Sequence, residues 1–457
     1  MLKNKRGSIT PALMIIVGAF SIVIYGLLFV LTSQLDFSNR QIAGEEALSI
    51  AEAGINYYRW HLAHAPTDFK DGQTSLGPYE HDYTDPQGTK IGKFSLNIIA
   101  PINGSAIVTI ESTGWSLRFP TVKRKIKAQY GKASLARYSF LQNASAWYGS
   151  GITVNGDIHS NTGIRMDGIN TAKVTSAVAT YTCGTETGCS PATNRPGVWG
   201  AGPNSYLWQF PIPSVDFNAI SFDFQNMKTA AQSSGLYLGP SGQRGYHLIF
   251  SSNGTFQVRR VTNTSNYTSY TPEDGCLNRA ENISSETNIG TYNVSNVPIF
   301  FAEDQLWVEG VVKGKISVVS ARFPIDNYSM DIWVPNNLNY VAYDHTNNLG
   351  LIAQGDIYFG RNIPTNFRID GALMAQKGKI IRHGYISGCG SGSWSVKNSL
   401  TINGSLISYN KSYWNFGSPP SSGFTTRNIN YDADLLFMPP PYFPTSGEYE
   451  FISWAEE

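Results

Sequence analysis

The sequence predicts a mainly β protein carried on a single N-terminal membrane-spanning α-helix. Three observations predict it. A long uncharged apolar run lies near the start of the chain. The rest is crowded with Gly, Pro, Asn, Ser and Thr between short apolar segments, a composition that favours strands and turns over long helices. A seven-residue apolar pattern centred on glycine then recurs in the second half. Together they predict a membrane helix with a stalk, a small β module, and a β-solenoid or β-helix-like domain, with a β-sandwich as the alternative.

Residues 12–31 read ALMIIVGAFSIVIYGLLFVL, and no charge occurs between Arg6 and Asp36. Some 20 residues at about 1.5 Å each span roughly 30 Å, the thickness of a bilayer core. Lys3, Lys5 and Arg6 precede the run, so the N-terminus should stay inside and the body lie outside the cytoplasmic membrane. A cleaved secretory signal would have a shorter core ending in small residues. Here the run is long and continues into Thr32-Ser33-Gln34-Leu35-Asp36, which favours a retained anchor.

Helical periodicity persists beyond the membrane. Phe37, Ala43, Ala47, Ile50, Ala51, Gly54, Ile55, Tyr58 and Leu62 form one stripe, with Glu45, Glu46 and Glu52 largely off it. Pro66 ends the run.

The basic leader ending in Gly7, followed by this helix, resembles the type III signal of type IV pilins. The stretch AEAGINYYRWHL from Ala51 resembles the sequence after the membrane helix in PilX-type pilus assembly proteins. Residues 108–131, VTIESTGWSLRFPTVKRKIKAQYG, are similar to the strand pair that follows in such proteins. The resemblance covers about the first 130 residues. It implies cleavage by a prepilin peptidase between Gly7 and Ser8, and packing of the helix against other pilin subunits. Major pilins carry Phe and Glu where this chain has Ser8 and Ala12. In the family that Glu is thought to pair with a neighbour's terminal amine. A subunit without it suits a position with no subunit above, as in the K-type minor pseudopilin, so the resemblance implies a minor, tip or accessory subunit.

The expected layout is a leader (1–7), a transmembrane helix (8–35), a helical stalk (36–64) and a small β module (65–131). A solenoid-like domain (132–430) with an inserted subdomain at about 170–300 follows, then a proline-rich and aromatic strap (431–457). Strands are expected at 91–100, 106–112 and 121–130. The cluster Lys123, Arg124, Lys125 and Lys127 is a solvated strand face, with contact to anionic lipid as the alternative. Five segments fit apolar-x-apolar-x-Gly-x-apolar, centred on Gly156, Gly310, Gly355, Gly371 and Gly404. In a strand the three apolar residues and the glycine share one face, and the glycine lets the strand bend or another strand approach. Asn155, Glu309, Gln354, Asp370 and Asn403 are then expected to face outward. Within the insertion, 215–234 is expected as a helix, and YHLIFSS-Asn253-Gly254-TFQVRRV as a hairpin. Tyr442, Phe443, Phe451 and Trp454 are expected to anchor the strap.

Charged residues make up 15% of the chain and the net charge is +1, which gives no electrostatic basis for nucleic-acid binding. The four cysteines lack metal-site spacing, so no metal is expected. They fit disulfides in an oxidising compartment: Cys183 with Cys189 around a short loop, then Cys276 with Cys389, or four reduced thiols. No phosphate loop, HExxH, GxSxG or EF-hand occurs, and no cofactor is expected. His159 is expected in a turn. Asp157, Glu309, Asp356 and Asp370 could align as an acidic stripe on stacked coils, which a glycan-active β-helix enzyme would need. A solvated row is the plainer reading. The leading expectation is a non-catalytic minor pilin at the cell surface, with surface glycans as a partner class. The alternatives are a stationary membrane-anchored adhesin or structural protein, and a tethered glycan-active enzyme.

Overall fold

The structure, a computed structural model, describes residues 9–101, 106–217, 223–417, 419–436 and 438–457. Contacts divide the chain into two units. One takes in the described residues up to Ala100, Val108–Gly131 and Tyr449–Glu457. The other is Pro101–Ile107 and Lys132–Glu448.

The first unit is built on α1, Thr10–His64, one uninterrupted helix of 55 residues. Pro11 sits in its first turn, where its missing N–H has no intrahelical partner to lose. From Leu13 to Leu35 the large apolar side chains are exposed. The hydroxyls of Ser21 and Thr32 donate to the carbonyls of Val17 (2.8 Å) and Leu28 (3.0 Å), so both are satisfied inside the helix. The C-terminal half differs. Ala43, Ala47, Ile50, Ala51, Ile55, Tyr58 and Leu62 are all buried, whereas Phe37, the first member of the expected stripe, is exposed.

The surface they pack on is a five-stranded sheet: β1 (Tyr79–Thr84), β2 (Lys90–Ile99), β3 (Ile107–Ser116), β4 (Lys123–Ser134) and, beside β4, the C-terminal strand Thr445–Glu456. β1 and β3 both run antiparallel to β2. Glycines set how closely helix and sheet approach. A Cβ on Gly114 would lie 2.4 Å from Ala47 O and Ala51 N, and one on Gly54 would lie 2.3 Å from Ser112 Oγ.

The last strand corrects the expected strap. Phe443 is buried, and Pro441 O accepts a hydrogen bond from Ser317. Tyr442, Phe451 and Trp454 are instead exposed. Beyond Pro444 the backbone joins a sheet, so the ladder holds the tail, and alternate side chains point away from it.

The second unit is a coil of short parallel strands that wind through three faces. The first face runs Leu236–Leu238, Ile299–Ala302, Lys315–Ser320, Asn348–Ala353, the ends of Asn366–Ala375 and Val396–Ser408, Phe140–Gln142, Ile158–Ser160, Val174–Ser176, Trp208–Gln209. The second runs Gly245–Ser251, Leu306–Val312, Ile332–Val334, Ile357–Phe359, Ile380–Arg382 and a bridge to Tyr413. A separate ladder, Ala146–Tyr148, Ile164–Met166, Val198–Trp199, occupies the same place in later coils. The third face runs from Gly310–Val312 through Leu338–Tyr340, Ile369, Ser399–Asn403 and Gly423–Asn430 to Ile152–Asn155 and Ile169–Asn170.

Coil order is not chain order. The strands of 140–209 stack on the coil that ends at Asn430, while 236–312 lie at the opposite end of the ladders. α2, Asp223–Ser234, packs outside the first face, with Phe224, Met227 and Ala231 against Ile299, Phe301 and Val319. The expected helix at 215–234 therefore begins later. Residues 218–222 lie outside the described residues.

The expected insertion at about 170–300 also narrows. Short strands within that segment, Val174–Ser176, Val198–Trp199, Trp208–Gln209, Leu236–Leu238 and Gly245–Ser251, continue the coils. What leaves them is a long antiparallel hairpin, Thr255–Thr271 with Gly275–Asn293, and a short one, Thr180–Cys183 with Thr193–Pro196. Periodicity could not separate these, because a coil strand and a hairpin strand alternate alike.

The glycine segments sit at corners. In all five the three apolar residues are buried in the interior, as with Phe367, Ile369 and Leu373. At Gly371 and Gly404, which pair with each other, the strand passes from the third face to the first. Gly310 marks a passage from the second face to the third. Gly156 and Gly355 lie in turns between strands. The five are thus not equivalent positions of one repeat. Coil length varies too: Asn366 pairs with Ser399, an offset of 33 residues, whereas Phe140 pairs with Ile158, an offset of 18.

Candidate functional site

The feature that demands a partner is the N-terminal half of α1. Its apolar side chains project all round, and no window of that stretch is covered. It is the one helix among the described residues long and apolar enough to cross a membrane. Gly7 and Ser8, the expected processing site, lie outside the described residues, as do Lys3, Lys5 and Arg6.

The basic cluster near this unit's sheet is already engaged. Arg124 pairs with Glu456 (2.9 Å), and Lys125 with Glu457 (2.7 Å) and Glu111 (3.3 Å). Lys127 approaches Glu457 at 4.0 Å. The hydrogen bonds it donates to Glu457 and Glu111 raise the pKa of the Lys125 ammonium above its usual range. An anionic lipid or polymer would have to compete with these carboxylates.

The four acidic positions do not converge. Asp370 is fully buried and closes a row of amides along the third face. Asn155 donates to Asn430 (2.8 Å), Asn430 to Asn403 (2.8 Å), and Asn403 to Asp370 (2.7 Å). Its carboxylate also accepts from Tyr340 N and Tyr343 Oη. Asp356 takes Lys379 N (2.7 Å) and Tyr358 Oη (2.7 Å), and Asp157 takes Lys173 N (3.1 Å). Glu309 faces His247 at 3.1 Å, which holds its carboxyl below the usual range. The four are spread over three corners: Glu309 between the second and third faces, Asp356 between the first and second, and Asp157 and Asp370 between the third and first, on different coils. Gln354, expected outside, is fully buried, its amide donating to Ile325 O and Tyr328 O. His159 is in a buried strand, not a turn, bonded to Thr175 and Asn161. Burial lowers its pKa.

Cys183 is joined to Cys189 and Cys276 to Cys389, with Cα separations of 5.6 and 5.8 Å. The second bond ties the long hairpin to the loop beyond Ile380–Arg382. Among the described residues no cluster of His, Cys, Asp and Glu is arranged to hold a metal.

One feature escaped the sequence reading. Along the outside of the second face the central residues of successive strands stand in register: His247, Trp307, Trp333, Tyr358, Ile381 and Tyr413. Trp333 and Tyr358 stack with centroids 4.2 Å apart. The long hairpin covers this part, with Val261 and Ile283 on Trp307 and Trp333. At its tip Glu273 accepts from Tyr413 Oη (2.9 Å) and pairs with Lys379 (2.7 Å). In the later coils Trp147, Arg165 and Trp199 hold the same central place. Arg165 lies over both indoles, at 4.4 and 4.9 Å. The signal was present as three-residue segments, Ile-Trp-Val, Ile-Tyr-Phe, Ala-Trp-Tyr and Ile-Arg-Met, each with its middle residue turned outward.

No protein-family model matches this chain, and no curated protein matches it. Among solved structures, the chain is similar to the crystal structure of competence-associated pilin ComZ from Thermus thermophilus. The identity is 12%, covering 91% of this chain and 98% of that one, with a TM-score of 0.31. A likeness at that level carries no argument, and function has to be read from the residues themselves.

Proposed function

We propose that this chain is a non-catalytic, pilin-like membrane protein, a minor tip or accessory subunit that presents its coiled β unit at the cell surface. The observation that carries the reading is the continuity of α1. Its first half is bare apolar surface, which at about 25 cal/mol per Å2 must be buried in lipid or among other helices. Its second half is fixed to a sheet through Gly54 and Gly114, with no flexible linker between the halves. A mere tether needs only about 20 apolar residues and tolerates a loose joint. A subunit drawn from a bilayer into a helical bundle needs the helix and its sheet to move as one body. The membrane helix, stalk and β module of the sequence reading are the parts of this device, and the later coils are its cargo. Lys3, Lys5 and Arg6 favour an inside N-terminus, with Gly7 and Ser8 as the prepilin peptidase site. Ala12, in place of a glutamate, favours a terminal position in the filament. The scattering of Asp157, Glu309, Asp356 and Asp370 supports the non-catalytic reading over the glycan-active enzyme.

The test is the intact mass of the N-terminal peptide, measured separately on sheared surface filaments and on membranes. A chain starting at Ser8 and present in filaments supports the reading. A chain keeping Met1 to Gly7 and confined to membranes overturns it in favour of the stationary adhesin.

A further inference from the structure

The coil wall is interrupted at one place on the second face. Between Tyr413 and the strand Ala146–Tyr148 the ladder stops, and the two sides belong to separate sheets. Neighbouring coils remain joined on either side, where Leu406 pairs with Phe140 and Arg427 with Ile152. The break leaves a slot of about 160 Å3. Its mouth lies between Tyr413 and Trp147, at the point where the long hairpin ends. Trp147 is 42% exposed there.

The chemistry of the slot is unusual for its position. Arg427 occupies an interior column, in register with Leu400 and Ile152, where the other coils place apolar residues. Its Nε is buried and has no hydrogen-bond partner, and no carboxylate pairs with it among the described residues. A half-buried guanidinium whose Nε lacks a partner is costly, and burial alone pulls its pKa down. Lys411 stands at the rim. Its ammonium donates to Glu186 O in the loop closed by Cys183 and Cys189, and burial lowers its pKa as well. Among the described residues, no acidic side chain lines the slot. Its apolar walls are rings: Phe140, Tyr148, Tyr413, Trp414 and Trp147.

We propose that this slot binds a single acidic sugar unit, its carboxylate held by Arg427 and Lys411 and its ring stacked between Tyr413 and Trp147. Guanidinium is the cation best matched to a carboxylate. The flat aromatic faces at the mouth suit the apolar face of a pyranose. The slot is well below the roughly 300 Å3 of drug-sized pockets, so one ring enters. Any further units would lie outside, beyond the exposed edge of Trp147. This binding does not depend on filament incorporation, and each idea can fail without the other.

The experiment is titration of the detergent-solubilised full chain with D-glucuronate, D-glucose and sodium acetate, followed by tryptophan fluorescence and calorimetry. Glucuronate is expected to bind at least ten-fold more tightly than either of the others. Arg427→Gln should abolish the difference between glucuronate and glucose. Trp147→Ala, checked by an unchanged far-ultraviolet circular dichroism spectrum, should weaken glucuronate at least five-fold. Equal binding of acetate and glucuronate would reduce the slot to a plain anion hole and overturn the proposal. So would equal binding of glucose, no binding of glucuronate, or unchanged affinity in Trp147→Ala.

Discussion

Gly404→Ala tests the corner geometry directly. Gly404 has φ +152°, where an L residue is strained, at a cost of about 1–3 kcal/mol. The added Cβ would lie 1.8 Å from Gly371 O in the adjacent coil. That atom is backbone, so no side-chain rotation relieves the clash. Relief requires the coils to separate locally, along a ladder that pairs Asn366–Ala375 with its neighbour residue by residue. Losing two or three ladder hydrogen bonds at about 1 kcal/mol each brings the total to roughly 3–6 kcal/mol. The control is Gly388→Ala. Gly388 also has a positive φ, +76°, but nothing within 4 Å of its Cβ position, so only the strain remains. Hydrogen exchange read by mass spectrometry is the assay. Amides of 366–375 and 399–408 should exchange at least about 100-fold faster in Gly404→Ala, and far less so in Gly388→Ala. Equal effects of the two substitutions would refute the close-approach argument and leave only backbone strain.

Other outcomes follow from the same geometry. Gly114→Val should push α1 off its sheet and accelerate exchange of amides 43–62, with no effect on residues 366–408. Reducing or removing the bond between Cys276 and Cys389, which closes a separation of 113 residues, should release the long hairpin. The loop-entropy cost is about 4–5 kcal/mol, and limited proteolysis should then cut near Glu273. The carboxyl of Asp331 is pushed up to about 7 by burial, which outweighs the hydrogen bond it accepts from Asp356 N. An unfolded Asp ionises near about 4. Between those values the native chain keeps a proton that the unfolded chain has lost, so stability falls as pH rises from about 4 to about 7 and then levels. Denaturant titrations should show this slope flattened in Asp331→Asn. Val23→Lys places a charge at the middle of the apolar run, at about 3 kcal/mol, and should lower the fraction of chain recovered in membranes.

Much of the first unit was legible because its signals are local. The apolar run, the stripe from Ala43 to Leu62 and the three strands β2 to β4 each follow from a period within one segment. β1, whose residues Tyr79–Thr84 alternate weakly, was not found. The C-terminal strand could not be found this way, since its place beside β4 depends on residues more than 300 positions away. In the second unit the corner glycines were visible but their corner was not. Whether Gly310 and Gly371 turn at the same corner depends on the varying coil length, which no short pattern encodes. The slot was invisible for a related reason. Arg427 reads as one more strand residue until Ile152, far upstream, is placed beside it.

That juxtaposition also orders events in time. As the chain is made, 140–209 emerges before the strands on which it stacks, Val396–Ser408 and Gly423–Asn430. The coils from 299 onward can add one upon the next, each finding its template already formed. The earlier coils have an unpaired edge until the later ones arrive, and an unpaired edge invites pairing with another chain. The pairings of Leu406 with Phe140 and of Arg427 with Ile152, on either side of the slot, are thus the last to form, and a chain arrested before Val396 would leave the edge of Phe140–Gln142 and Ile152–Asn155 open to pairing with another chain.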